Sequence, residues 1–215
     1  MFRDRSHAGR ALAGMLARYA GRPDVVVLAL PRGGVPVGYE VARALGAPLD
    51  VFVVRKLGVP GHEELAMGAI ASGGVRIVSE NVVEALNISD RVIATVAAAE
   101  ARELERRERL YREGRLFPDV RGRTLILVDD GLATGSSMRA AAAALRSLGA
   151  ARIVAAVPVA PKESCDALRE LVDEVVCARV PERFMAVGEW YEDFSQTSDE
   201  EVSELLRRGQ REVHQ

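Results

Sequence analysis

The residues best placed to do chemistry lie in one run. Leu125, Ile126, Leu127 and Val128 form an apolar stretch that ends in two adjacent carboxylates, Asp129 and Asp130, followed by Gly131, Leu132, Ala133, Thr134, Gly135, Ser136 and Ser137. An apolar strand that passes through small residues into a helix aims several backbone N–H groups at one point beside the positive end of the helix dipole, here joined by the Thr134, Ser136 and Ser137 hydroxyls. Such a turn cradles a phosphate. Carboxylates at the carboxyl end of a central strand face the usual ligand crevice of an open α/β sheet, where they accept hydrogen bonds from sugar hydroxyls or hold Mg2+ directly or through water. Phosphate and sugar together point to a sugar phosphate. A solvated Asp-Asp-Gly turn with Ser/Thr capping is the plainer alternative, and it leaves the attached phosphate loop without a role.

Three further segments carry groups of the same kind. Pro31, Arg32, Gly33 and Gly34 follow the apolar run 25–29, and paired glycines allow backbone geometries closed to other residues and the close approach of an anion. Gly33 and Gly38 have the spacing of a nucleoside-triphosphate-binding loop, but Tyr39 and Glu40 stand where Lys and Ser or Thr are required. Arg55 and Lys56 close the run 51–54 and precede the hinge-like Gly58-Val59-Pro60-Gly61, so two cations able to neutralise a diphosphate are expected at the same sheet edge. His62-Glu63 begins like a zinc-protease motif, but Ala66 takes the place of its second histidine. His62, Glu63 and Glu64 are loop acids or bases by position alone. The stretch 180–194 gathers Phe184, Trp190, Tyr191 and Phe194 in a chain only 5% aromatic; flat bases stack on such rings, and pinning the C-terminal segment to the sheet is the competing use.

These groups need a scaffold that gathers strand ends. Apolar runs rich in β-branched residues recur at 25–29, 51–54, 124–128, 153–157 and 175–178, the pattern of parallel strands buried on both faces. Helical patterns lie between them at 37–45, 135–148 and 162–171, each closed or followed by Gly, Pro or Asp. The alternation gives an α/β chain with a doubly wound, mainly parallel sheet flanked by helices. Asp4 is expected to cap a helix that sets Ala8, Leu12, Met15, Leu16 and Tyr19 on one face. The stretch 57–123 interrupts the alternation and reads as an insertion: a flexible glycine-rich loop, then a long Ala/Glu/Arg helix over about 89–112. Charges over 102–109 alternate in sign, as on a solvated helix face.

Composition narrows the partners. The 215 residues carry 29 Lys+Arg against 31 Asp+Glu, a net charge of -2, so there is no basic stripe for nucleic acid. No apolar run approaches the ~20 residues of a membrane span, and Met1 to Arg5 lead into no apolar signal segment, so a cytoplasmic protein is expected. Cys165 and Cys177 lack a CxxC spacing and read as packing residues. A homodimer is left open.

Over 126–137 the chain resembles the type I phosphoribosyltransferases, whose motif for phosphoribosyl pyrophosphate (PRPP) is an apolar strand, two acids, two further residues, then Ala-Thr-Gly with Ser or Thr. The resemblance implies the type I phosphoribosyltransferase fold over a single domain, 1–215, with the insertion 57–123 and a hood over 179–195. It implies that Ala133, Thr134, Gly135, Ser136 and Ser137 bind the 5′-phosphate, and that Asp129 and Asp130 contact the ribose hydroxyls with the help of Mg2+. Arg32, Gly33 and Gly34 resemble the pyrophosphate loop, in which xanthine-type enzymes often have a cis peptide. Arg55 and Lys56 resemble the pair opening the loop that closes over PRPP, and Trp190 and Tyr191 occupy the place of aromatic contacts to the acceptor base. The implied reaction transfers the phosphoribosyl group from PRPP to a nitrogenous base or similar small molecule with release of pyrophosphate, Asp129, Asp130, Arg55 and Lys56 being its catalytic groups.

Departures concern the acceptor. Gly131 replaces an aliphatic residue common in the family, Val59 stands where the orotate type has Lys, Ala133 where 6-oxopurine enzymes have an Asp base, and Lys162 lies beyond the strand end where those enzymes have Lys. With Phe2-Arg3-Asp4-Arg5 and Gly68-Ala69-Ile70, the pattern is most similar to predicted phosphoribosyltransferases of unassigned acceptor. The rival on this fold is a PRPP- or nucleotide-sensing regulator without turnover. A phosphohydrolase using Asp129 is disfavoured, because such enzymes space their acids as Asp-x-Asp.

Overall fold

The computed structural model describes residues 1–213. Its two central strands, β1 (Val25–Ala29) and β6 (Thr124–Val128), have every residue buried; with no polar alternation, both faces must be covered. They pair in a five-stranded parallel sheet of order β2-β1-β6-β7-β8, completed by β2 (Leu49–Val51), β7 (Arg152–Val159) and β8 (Glu174–Arg179). The register Val25↔Thr124 through Ala29↔Val128 sets the carboxyl ends of β1 and β6 level. The segments after Ala29 and after Val128 therefore leave the sheet side by side.

Successive strand residues face opposite layers. Val25, Val27, Ala29, Ile126 and Val128 pack with α1 (Arg5–Met15), α2 (Gly34–Leu45) and α7 (Asp199–Val213), whereas Val26, Leu28, Leu125 and Leu127 pack with α5 (Ser136–Ser147) and α6 (Lys162–Arg169). Asp4 caps α1 as expected, its Oδ1 accepting from the His7 N–H at 2.6 Å. Met15 departs from expectation and is 47% exposed. Helix α1 ends there, and the 3-10 turn Ala17–Tyr19 lets Leu16 and Tyr19 take the inward positions.

The run 51–54 is not one strand. β2 ends at Val51, and β3 (Val54–Val59) begins a separate antiparallel sheet of order β3-β4-β5 with β4 (His62–Ala71) and β5 (Val75–Val78). Arg55 and Lys56 therefore lie within β3 rather than at the carboxyl end of a parallel strand, and 58–61 forms the β3–β4 hairpin tip. Buried polar groups explain the break. Arg112, at the end of α4 (Asp90–Arg112), donates to the Val51 carbonyl at 2.8 Å and to Asp50 Oδ1 at 3.1 Å, and Ser72 Oγ accepts from the Val53 N–H at 2.9 Å. These bonds satisfy the backbone where the chain changes sheets.

The small sheet is packed on both sides: Leu57, Met67 and Ile70 join Ile93 and Ala97 of α4, and Ala71, Val75 and Ile77 join the cluster around α5. The short α3 (Glu80–Ala85) links it to α4, whose Glu103 pairs with Arg106 and Arg107 on the outer face. Cys165 and Cys177 are free thiols in one apolar cluster. Among the described residues no helix is long and apolar enough to cross a membrane.

Candidate functional site

At the level carboxyl ends of β1 and β6 the chain makes two turns that interlock. After β6, Asp129 and Asp130 lead through 131–135 to the first turn of α5, and Ser164 Oγ of α6 holds this loop by donating to the Ala133 carbonyl at 2.6 Å. The Leu132 N–H donates to the Val159 carbonyl of β7 at 2.9 Å. An open cleft of about 240 Å3 results, lined by Asp129, Gly131, Ala133, Thr134, Gly135, Ser136, Ser137 and Lys56. Small residues keep the floor low, and the N-terminus of α5 points its free N–H groups into it.

After β1, Arg32, Gly33 and Gly34 turn into α2, and the Pro31–Arg32 peptide is cis. The two turns touch. A Cβ at Gly33 would overlap Asp130 Oδ2, and one at Gly34 would come 2.8 Å from the Val128 carbonyl oxygen. Only glycine lets this loop lie against the acid pair.

The two acids differ in environment. Asp129 faces the cleft, and its Oδ1 accepts from the Asp130 N–H at 2.8 Å. Desolvation and the neighbouring Asp130 push its carboxyl well above the usual carboxylate range. Asp130 turns toward α1, where Arg5 Nε meets its Oδ2 at 2.8 Å. The Asp130 carbonyl accepts from Tyr191 Oη at 2.6 Å. Arg5 also donates through Nη1 to the Ser195 carbonyl at 2.6 Å and stacks 4.0 Å from the Phe194 ring centre.

The cations are not equivalent. Lys56 is exposed and lines the cleft, whereas Arg55 Nε donates to Glu100 of α4 at 2.7 Å. Arg32 lies 3.9 Å from Asp199, whose Oδ1 also accepts from Tyr111 Oη at 2.6 Å. Desolvation and Asp199 together raise the Tyr111 hydroxyl above its ordinary range.

Tyr191, expected to contact the acceptor, is 6% exposed. Its ring packs beside Phe2 and Phe194, with centres 5.6 and 5.0 Å away and the planes tilted, which is the use of an aromatic that pins the C-terminal segment. Burial and the Asp130 carboxylate raise its hydroxyl far above the ordinary tyrosine range. Trp190 is half-buried against Phe2, Ala8 and Tyr191, and its carbonyl accepts from the Phe2 N–H at 2.8 Å. The hood side chain that reaches the cleft lining is Val187, whose Cγ1 would lie 2.5 Å from a Cβ on Gly131. The missing aliphatic at 131 is thus offset by a hood methyl in the same space.

Arg5, within Phe2-Arg3-Asp4-Arg5, and Val187, within the hood segment, carried no expected role at the site. A signal existed for Arg5: a cation in the first turn of a helix opposes the helix dipole, a local inconsistency that marks a tertiary partner.

Comparison with known proteins agrees with this architecture. The family model for the phosphoribosyl transferase domain matches residues 4–193. A Mycobacterium tuberculosis H37Rv protein, provisionally named a phosphoribosyl transferase, is 47% identical over 212 residues, 99% of this chain and 48% of its own. The chain thus spans about half the length of the curated relatives it matches. The ribose-phosphate pyrophosphokinase of Methanopyrus kandleri is 33% identical over 142 residues, 57% of this chain and 49% of its own. Among solved structures, TT1426 from Thermus thermophilus superposes with a TM-score of 0.85 at 44% identity, covering 96% of this chain and 98% of that one. A Neisseria gonorrhoeae protein with bound ppGpp shares the fold alone, with a TM-score of 0.51 and 11% identity over 97% of this chain and 98% of its own. With the match running from the cap of α1 to the hood, and with the acid pair, the small-residue loop and the paired glycines on one sheet edge, the chain belongs to the phosphoribosyl transferase domain family.

Proposed function

We propose that this domain binds PRPP with Mg2+ and transfers its phosphoribosyl group to a nitrogenous small-molecule acceptor, releasing pyrophosphate. One observation carries the reading: two anion-binding turns on neighbouring parallel strands meet across a carboxylate pair, close enough that only glycine fits between them. That arrangement matches a ligand with a phosphate at one end, a sugar in the middle and a diphosphate at the other.

In this reading the N–H groups and hydroxyls of 133–137 hold the 5′-phosphate, and Asp129 and Asp130 accept from the ribose hydroxyls. Arg32 with the Gly33 amide faces the diphosphate, the Gly34 N–H being taken by the Leu30 carbonyl at 3.1 Å, and Lys56 adds a cation from the hairpin. Arg55, paired with Glu100, positions the hairpin rather than the diphosphate. The chemistry at C1 needs little covalent help. The donor is held at both ends, so displacement proceeds from a fixed geometry. The 58–61 tip closes over the cleft to exclude water, which would hydrolyse the electropositive sugar carbon.

The acid pair fits a dication. Asp129 and Asp130 are hard oxygen donors side by side, one of them raised by the other's charge, and a cation relieves that repulsion. Among the described residues no third acid, Cys or His joins them, so the remaining ligands would be substrate oxygens and water. Mg2+ would supply charge neutralisation for the leaving diphosphate.

The test is PRPP consumption with Mg2+ and pooled purines, pyrimidines and amines, read by mass spectrometry for new ribonucleotides. A product mass that disappears with Asp129→Asn/Asp130→Asn is the expected result. PRPP that binds but survives every acceptor would overturn transfer in favour of sensing.

A further inference from the structure

We propose that Arg5 is a positioning residue for Asp130, and that through it the hood sets the affinity of the site for ribose; the inference rests on the PRPP reading above. Asp130 is held at three points. Arg5 Nε meets Oδ2 at 2.8 Å, Tyr191 Oη holds the backbone carbonyl at 2.6 Å, and Gly33 backs the carboxylate so closely that no Cβ fits. Among the described residues, Oδ1 has no protein donor. Asp130 is half-buried beside the cleft-lining Asp129 and Gly131, and in the PRPP reading Oδ1 is the oxygen left to accept from a ribose hydroxyl.

The chemistry follows from the donor inventory. Ribose hydroxyls donate, and a carboxylate with one oxygen bound by a guanidinium offers the other as a pure acceptor in a fixed direction. Without Arg5, Asp130 would face the Asp129 carboxylate unscreened and could rotate away from the sugar. Arg5 is itself pre-set. Its side chain is 12% exposed, its Nη1 is bound to the Ser195 carbonyl, and its plane lies over Phe194. The hood segment therefore holds the arginine, and the arginine holds the acid. Nothing in α1 asks for a cation at its first residue, where the helix dipole disfavours one.

The test uses the full chain and calorimetric titration with PRPP, ribose 5-phosphate and inorganic pyrophosphate, each in the presence of Mg2+. Arg5→Gln should weaken PRPP and ribose 5-phosphate about tenfold or more while pyrophosphate changes less than about twofold. Arg5→Lys, which keeps the charge but not the planar fork, should recover part of the loss; it also serves if Arg5→Gln fails to fold. In turnover, KM for PRPP should rise and KM for the acceptor should not. Equal loss of pyrophosphate would mark a merely structural arginine and overturn the proposal, as would unchanged PRPP affinity in both variants. If the wild-type chain binds ribose 5-phosphate and pyrophosphate but PRPP is never turned over, transfer fails while this proposal stands. If it binds no sugar phosphate, both fail.

Discussion

Tyr191 Oη donates a 2.6 Å hydrogen bond to the main-chain carbonyl of Asp130, across a sequence separation of 61 residues. A residue expected to contact the acceptor thus braces the main chain of Asp130. Tyr191→Phe keeps the ring between Phe2 and Phe194 and removes only this bond. Stability should fall by about 1 kcal/mol, read by urea unfolding. KM for PRPP should rise a few-fold while KM for the acceptor stays unchanged; a change confined to the acceptor would return Tyr191 to base stacking.

Asp129 should make the metal-free protein pH-sensitive. Its carboxyl is held well above the usual range when folded and returns to that range when unfolded. Between the two values the folded chain keeps a proton that the unfolded chain has lost, so stability declines as pH rises through that window. Asp129→Asn should flatten the decline and stabilise the metal-free protein above it by about 1–3 kcal/mol, while abolishing turnover. Melting curves across pH in a chelator check this, and Mg2+ should raise the wild-type Tm more than that of the variant.

Lys56 and Arg55 should separate. Lys56→Gln removes the hairpin's cation from the cleft and should cost about tenfold to a hundredfold in kcat/KM for PRPP. Arg55→Gln, which breaks the pair with Glu100, should cost severalfold less. Equal losses would place both on the diphosphate.

Gly131 and Val187 share one space. Gly131→Leu should destabilise by about 1–3 kcal/mol through overpacking, since its Cβ would already lie 2.5 Å from Val187 Cγ1. Val187→Ala in the same chain should return part of that loss. A double-mutant cycle with no coupling would show that the hood does not rest on the loop.

The crossing between sheets depends on Arg112. Burial raises the Asp50 carboxyl and the Arg112 guanidinium partly offsets the rise, so Arg112→Met leaves a buried acid without its cation. Unfolding should show a loss of about 3–5 kcal/mol, with Asp50→Asn in the same chain recovering part of it.

What could be read from the sequence was what local pattern controls. β1, β6 and α5 follow from unbroken apolar runs and a small-residue turn, and their parallel register alone brings 30–34 and 129–135 to one edge. The division of 51–54 was not legible, because it is decided by Arg112, 61 positions from the Val51 carbonyl it binds. Tyr191 was ambiguous for the same reason. An aromatic ring is equally apt for stacking on a base or filling a core, and the ring that packs beside it, Phe2, lies far away along the chain. Arg5 was visible within Phe2-Arg3-Asp4-Arg5 and as a charge in an unfavourable place, and neither signal names Asp130, 125 positions away, as its partner.

The Phe2 N–H bonds to the Trp190 carbonyl, and the Glu192 and Asp193 N–H groups bond back to the carbonyls of Phe2 and Arg3, each at 2.8 Å. These three main-chain bonds form only once residues 190–193 have been made, and contacts this distant in sequence close slowly. The central sheet can assemble beforehand from its nearer strands. The bracing of Asp130 by Arg5 is thus complete only when these two distant segments meet and the Ser195 carbonyl accepts from the arginine's Nη1.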